Sequence, residues 1–206
     1  MSSTADAAVA SDRAMLIEIR DTIAVLSFNR PDKRNAVNGA VASALGWICE
    51  ETERDDDVRA CILTSSLEST FCAGADLSEI SKGNAGALST KKGGFAGFVK
   101  FPRTKPWIAA VRGNALAGGC ELPLACDMIV AADNSRFGLP EVKRGIFAGA
   151  GGVFRLPRAL PRNIALEIVA TGDPMPAERL YQFGLINRMV PSGEVMGEAH
   201  ALAQQI

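Results

Sequence analysis

Histidine is nearly missing from this chain: the single one, His200, stands six residues before the last residue, Ile206. That argues against histidine-based nucleophile triads and histidine metal centres. Cysteine is present but never as CxxC. Cys49, Cys61, Cys72, Cys120 and Cys126 are scattered, mostly in apolar contexts. They read as reduced core thiols of a cytosolic, hence cytoplasmic, protein. Net charge is also lacking: 22 basic side chains meet 23 acidic ones, which leaves no global electrostatic footprint for nucleic acid. No apolar run approaches the roughly 20 residues that a membrane helix needs. The opening MSSTADAAVASDR has no apolar core, so residues 1–13 are expected to be a disordered leader, neither secretory signal nor membrane anchor.

What is present is core material. Hydrophobic residues make up 48% of 206 positions, which suits one domain. Its expected extent is 14–191, with 192–206 starting a C-terminal helical region. Met15–Ile19 and Ile23–Phe28 read as a hairpin. Asn38 reads as the cap of a helix to about Arg54, with Val41, Leu45, Ile48 and Cys49 at helical spacing. Val58–Thr64 is apolar nearly throughout, as a strand buried on both faces would be. Asp76 is placed to cap a short helix through Ile80. Residues 81–94 look mobile, and Phe95–Phe101 looks helical. Trp107–Val111 and Met128–Ala132 read as buried strands, and helices dominate after Gly152. Strand and helix in alternation imply an α/β fold with a largely parallel sheet.

The chemistry concentrates between Trp107 and Gly152. Strand-to-helix turns rich in glycine occur at Ala117-Gly118-Gly119-Cys120 and, upstream, at Ala73-Gly74-Ala75-Asp76. Such turns leave backbone N–H groups pointing into a crevice, and one from each turn can grip a single carbonyl oxygen. Two carboxylates accompany them. Glu121 follows the second turn and reads as a helix-dipole partner or a working acid/base; Glu141 stands in a loop after Pro140.

Taken together, FCAGADL (71–77), AVRGNALAGGCELPLACDMIVAADNSRFGLPEVKRGI (110–146) and AGAGG (148–152) resemble the crotonase superfamily, the enoyl-CoA hydratase/isomerase family. NRPDKRNAV (29–37) resembles its early loop, and LINRMVP (185–191) its late strand. The resemblance runs from about Leu16 to Pro191. It implies a core of repeated ββα turns forming a spiral, followed by C-terminal helices, and a chain truncated relative to the family. It implies a coenzyme A thioester substrate and no permanently bound cofactor or metal. The oxyanion donors would be the N–H groups of Ala75 and Gly118, and the two hydratase glutamates would be Glu121 and Glu141. Lys33 and Arg34 would meet nucleotide phosphates, with Ala36, Ala73, Asp76 and Leu77 lining the coenzyme A channel. A homotrimer or dimer of trimers is implied, with no nucleic-acid or membrane partner. The activity implied is hydration of a trans-2-enoyl-CoA. Dehydration of a hydroxyacyl-CoA of the carnitinyl-CoA kind, enoyl-CoA isomerisation, and an inactive acyl-CoA-binding scaffold are the alternatives. Ser78 replaces a lysine frequent in the family's hydratases, and Ala148 replaces a common proline.

Overall fold

The computed structural model describes residues 14–206; the expected leader, residues 1–13, lies outside the described residues. Strands β1 (Met15–Arg20) and β2 (Ile23–Phe28) pair antiparallel around Asp21 and Thr22, whose φ angles of 48° and 68° make the tight turn that a hairpin's twist favours. Helix α1 (Gly39–Arg54) begins where Asn38 Oδ1 accepts from the Val41 N–H at 3.0 Å. It buries Val41, Ala42, Leu45, Ile48 and Cys49 along one face. Each such large aliphatic side chain contributes about 1.5–3 kcal/mol, and loss of the Asn38 cap would cost about 1 kcal/mol.

Three turns of a spiral follow, each giving one strand to each of two sheets. The first supplies β3 (Ala60–Ser65) and β4 (Thr70–Cys72), then helix α2 (Leu77–Ser81). After β5 (Ser89–Thr90) and β6 (Gly94–Phe95), the second supplies β7 (Trp107–Val111), β8 (Asn114–Leu116) and helix α3 (Gly118–Glu121). The third supplies β9 (Met128–Ala132), β10 (Arg136–Gly138) and a 3-10 turn, Pro140–Arg144. Helices α4 (Gly152–Ala159) and α5 (Arg162–Thr171), strand β11 (Met175–Pro176), helix α6 (Ala177–Gln182), strand β12 (Arg188–Val190) and helix α7 (Val195–Ala203) complete the order.

The large sheet runs β1-β2-β3-β7-β9-β12 and is parallel from β2 onward. The small sheet runs β11-β10-β8-β4, its last three strands parallel. Side chains of the large sheet alternate between two apolar layers. Cys61, Leu63, Trp107, Ala109, Ile129 and Ala131 face the main core with α1 and the small sheet. Ala60, Ile62, Ile108, Ala110, Val130 and Ala132 face α7, whose Val195, Ala199 and Ala203 close that side. Burial on both faces explains why β3 reads as a continuous apolar run.

Two expectations are corrected. Residues 81–94 form a defined turn and hairpin: Leu88 is buried, β5 pairs antiparallel with β6, and Lys92 pairs with Glu50 at 3.1 Å. Residues 95–101 form turns in place of a helix. Ala96 and Gly97 both adopt left-handed backbone, φ 56° and 70°, which a right-handed helix cannot continue. Gly97 also presses on α1, where an added Cβ would stand 2.3 Å from the Ala42 oxygen. The five cysteines are free thiols, four of them buried and Cys126 half-buried. Burial pushes Cys49, Cys61 and Cys72 up to about 12, which leaves them protonated and inert.

Candidate active site

The spiral places three chain ends side by side. Strands β4, β8 and β10 are parallel neighbours, with Cys72 opposite Ala115 and Leu116 opposite Gly138. Their carboxyl ends therefore emerge on one edge. The first runs into Ala73-Gly74-Ala75, the second into Ala117-Gly118 and the third into Leu139-Pro140-Glu141. Crevices at the carboxyl ends of parallel strands are where α/β folds place their ligands.

The two glycine turns touch. Gly74 has φ +91°, and a Cβ there would stand 2.9 Å from Ala117 Cβ and 3.0 Å from the Gly118 nitrogen. Only glycine fits this approach. The Gly74 oxygen accepts from the Val37 N–H at 2.7 Å, and the Asp76 N–H donates to the Val37 oxygen at 2.8 Å. Those bonds flank Ala75 and turn its own N–H away from Val37. Among the described residues, the N–H groups of Ala75 and Gly118 donate to no protein acceptor. Gly118 is buried and Ala75 half-buried, and backbone donors away from water are rarely left unmatched, so two of them on touching turns are notable. Ala117, between β8 and α3, has φ 53° and ψ −132°, a region sparsely used by residues with a Cβ.

Glu121 is 3% exposed. Helix α3 is one turn long and Glu121 is its last residue, so capping of its own helix is not its role. Its Oε1 accepts from the Gly152 N–H at 2.8 Å, at the amino end of α4, whose dipole favours an anion there. Burial is the main influence and pushes the carboxyl up to about 7. The Gly152 N–H opposes that rise, Glu141 adds to it, and Ala150 and Arg155 oppose it more weakly. Glu141 sits in the Pro140–Arg144 turn, 9% exposed, and burial raises its carboxyl too. Its Oε2 is buried without a hydrogen-bond partner among the described residues. A lone buried carboxylate oxygen is costly, as at sites where polar groups face a ligand. The site thus holds one tethered carboxylate, one with an open acceptor, and two free donors.

The early loop borders the first turn. The Ala73 N–H donates to the Arg34 oxygen at 3.1 Å. Arg30 donates to the Ala36 oxygen and to Asp76 Oδ2, the latter at 3.0 Å. Lys33, Arg34, Ala36, Ala73, Asp76 and Leu77 consequently form one strip. Lys33 and Arg34 are exposed, with no ion-pair partner among the described residues, and Leu77 is 61% exposed. A surface hollow lies against Arg30, Pro31, Asp32, Lys33 and Asn38. The Asp76 carboxylate is committed to the protein: Oδ1 caps α2 through the Ser78 N–H at 3.1 Å and accepts from its hydroxyl at 2.6 Å, while Oδ2 pairs with Arg30. These contacts hold it below the usual carboxylate range despite burial, the largest opposing influence.

Arg30, Asn35 and the role of Gly152 carry little signal in the sequence. Asn35 is fully buried at φ 56°, its amide reaching Ser65 Oγ at 2.7 Å and the Phe71 oxygen at 3.1 Å. An asparagine between arginine and alanine in a polar loop was the only available signal. Gly152 stands in the AGAGG run, but no spacing joins it to Glu121.

Comparison with known proteins agrees with this architecture. The family model for enoyl-CoA hydratase/isomerase matches residues 18–206. A carnitinyl-CoA dehydratase of Escherichia coli K12 is 42% identical over 186 residues, 90% of this chain and 71% of that protein. The crystal structure of an enoyl-CoA hydratase from Mycobacterium tuberculosis H37Rv superimposes with a TM-score of 0.90 at 46% identity, covering 95% of this chain and 76% of that one. That of a carnitinyl-CoA hydratase from Mycobacterium avium gives 0.88 at 49% identity, covering 94% and 75%. The chain belongs to the enoyl-CoA hydratase/isomerase family.

Proposed function

We propose that the chain adds water across the C2–C3 double bond of a trans-2-enoyl-CoA, with Glu121 and Glu141 as its acid and base. The observation that carries this reading is the meeting of two buried carboxylates and two unmatched N–H donors at one sheet edge. The thioester oxygen accepts from Ala75 and Gly118, whose N–H groups stabilise the enolate as charge builds. One carboxylate takes a proton from the water whose oxygen bonds to C3. A proton then passes to C2, and the thioester carbonyl reforms. Burial raises both carboxyls, and Glu121, pushed up to about 7, exchanges protons near neutral pH, as such a step requires. An isomerase moves one proton along the acyl chain and needs only one of the two carboxylates.

The strip at residues 33–36 and 73–77 supports coenzyme A binding, with Lys33 and Arg34 as free cations for phosphates. Asp76 serves that strip through its backbone and its hold on Arg30, since its carboxylate is engaged. No permanently bound cofactor and a cytoplasmic setting are part of the proposal. Assembly as a homotrimer or dimer of trimers draws support from exposed apolar side chains between Ile146 and Leu166, among them Phe147 at 71% and Phe154 at 46%. Sedimentation equilibrium tests it: a monomer at all concentrations contradicts it.

A second reading is the reverse reaction on carnitinyl-CoA, favoured by relatives and a solved neighbour of that name. Parallel assays with crotonyl-CoA and crotonobetainyl-CoA, followed by loss of thioester-conjugation absorbance, separate the two. Preference for crotonobetainyl-CoA would select the second; a folded chain that turns over neither of them, nor any longer enoyl-CoA, would reject both in favour of an acyl-CoA-binding scaffold.

A further inference from the structure

Arg155 lies on α4, outside the glutamate pair and both glycine turns, and its guanidinium is half-buried. Its Nη1 donates to the Ala150 oxygen at 3.0 Å, and its Nη2 donates to the Val99 oxygen. One side chain thereby ties the 95–101 turn to the loop entering α4. Gly151 is shaped to receive it: φ is +124°, and a Cβ there would stand 1.8 Å from Arg155 Nη1. The next residue, Gly152, donates the N–H that holds Glu121 Oε1. The room around Gly152 is equally tight, an added Cβ falling 2.8 Å from Leu139 Cδ1 and 3.2 Å from Glu121 Oε1. The chain Val99–Arg155–Ala150–Gly152–Glu121 is therefore contiguous, through two hydrogen bonds to carbonyls and one to a carboxylate.

We infer that Arg155 is a positioning residue: it clamps the Ala150–Gly152 loop so that the Gly152 N–H holds Glu121. Glu121 faces Glu141 from the Pro140–Arg144 turn and Arg155 from α4; Arg155 in turn faces Arg103, Arg158, Glu121 and Cys126. Burial and then Arg103 lower the guanidinium, but an arginine stays charged throughout the working range. Phe154 completes the seat, its ring centroid 4.9 Å from the Arg155 guanidinium and 5.5 Å from that of Arg158.

The proposal rests on the hydratase reading only for its effect on turnover, so its test has a second readout. Arg155→Gln removes the charge and keeps one short polar arm; Arg155→Lys keeps the charge and loses the fork. The carboxyl stretch of Glu121, identified in infrared difference spectra by its loss in Glu121→Gln, gives its protonation midpoint without any substrate. Expected is a midpoint moved to higher pH in Arg155→Gln, and moved up by less in Arg155→Lys, which loses the fork but keeps the charge. Turnover is expected to fall about tenfold or more in both with KM nearly unchanged, since a reacting group misplaced by about 1 Å can cost about a hundredfold. The pH limb governed by Glu121 moves up in Arg155→Gln whether Glu121 acts as acid or base. A folded Arg155→Gln with an unmoved midpoint overturns the inference. Should that variant not fold, Arg155→Lys with wild-type turnover overturns it. Failure of the hydratase reading shows separately, as a wild-type chain without turnover whose Glu121 midpoint still responds to Arg155→Gln.

Discussion

The two sheets draw alternate strands from the same turns of chain, yet they are provisioned differently. Strands β3, β7 and β9 of the large sheet read ACILTS, WIAAV and MIVAA, with no charge, no glycine and burial on both faces. Strands β4, β8 and β10 of the small sheet are three residues each and end in glycine turns, a strained Ala117 and buried carboxylates. Regular packing keeps the parallel ends in register, and the irregular edge then holds groups that no isolated segment would tolerate. Stability and chemistry are thus segregated along one chain, turn by turn. Variants should separate them.

The widest separation is expected at the carboxylates. Glu121→Gln and Glu141→Gln should each lower turnover by about a hundredfold to ten-thousandfold, the range for a positioned acid or base. Neither should lower the unfolding temperature, because each removes a buried charge. Turnover assays beside thermal unfolding check both halves. The opposite pattern is expected in the large sheet. Trp107→Ala removes a fully buried ring packed 4.9 Å from Phe98 and should cost about 3–5 kcal/mol in denaturant unfolding, with turnover per folded molecule largely kept.

A smaller effect concerns pH. Glu121 is raised by burial from 4.5 to about 7, so the folded state holds a proton that the unfolded state releases. That stability is fully present below about pH 4.5 and is lost as pH rises through about 7. A tenfold change in an ionisation constant is worth about 1.4 kcal/mol. Unfolding temperature against pH should therefore slope downward across this window in the wild type and less so in Glu121→Gln. The smallest effect is at Ala117: Ala117→Gly relieves its φ 53° backbone and should stabilise by roughly 1 kcal/mol in urea unfolding, the gain offset in part by glycine's extra freedom when unfolded.

Much of the fold was legible because it is local. The Asn38 and Asp76 caps and the strands at Trp107–Val111 and Met128–Ala132 follow from side-chain chemistry and burial over a few residues. The spiral itself is not local. Nothing in the periodicity says that β7 and β8, two residues apart, enter different sheets; only the resemblance to a family implied it. The 95–101 turn reads as a helix in sequence because its apolar residues mimic one, while Ala96 at φ 56° carries no mark in composition. At the site, both glutamates and both glycine turns stood out by type and neighbours. The Gly152 tether to Glu121 spans 31 positions and the Arg30–Asp76 pair 46, and both appear only once the turns are stacked.

The most direct test of the central claim is turnover of crotonyl-CoA and crotonobetainyl-CoA by the wild type and by folded Glu141→Gln. The open acceptor on Glu141 predicts measurable conversion of at least one thioester by the wild type and a loss of about a hundredfold or more in the variant. A Glu141→Gln chain that matches the wild-type rate would contradict the two-carboxylate site.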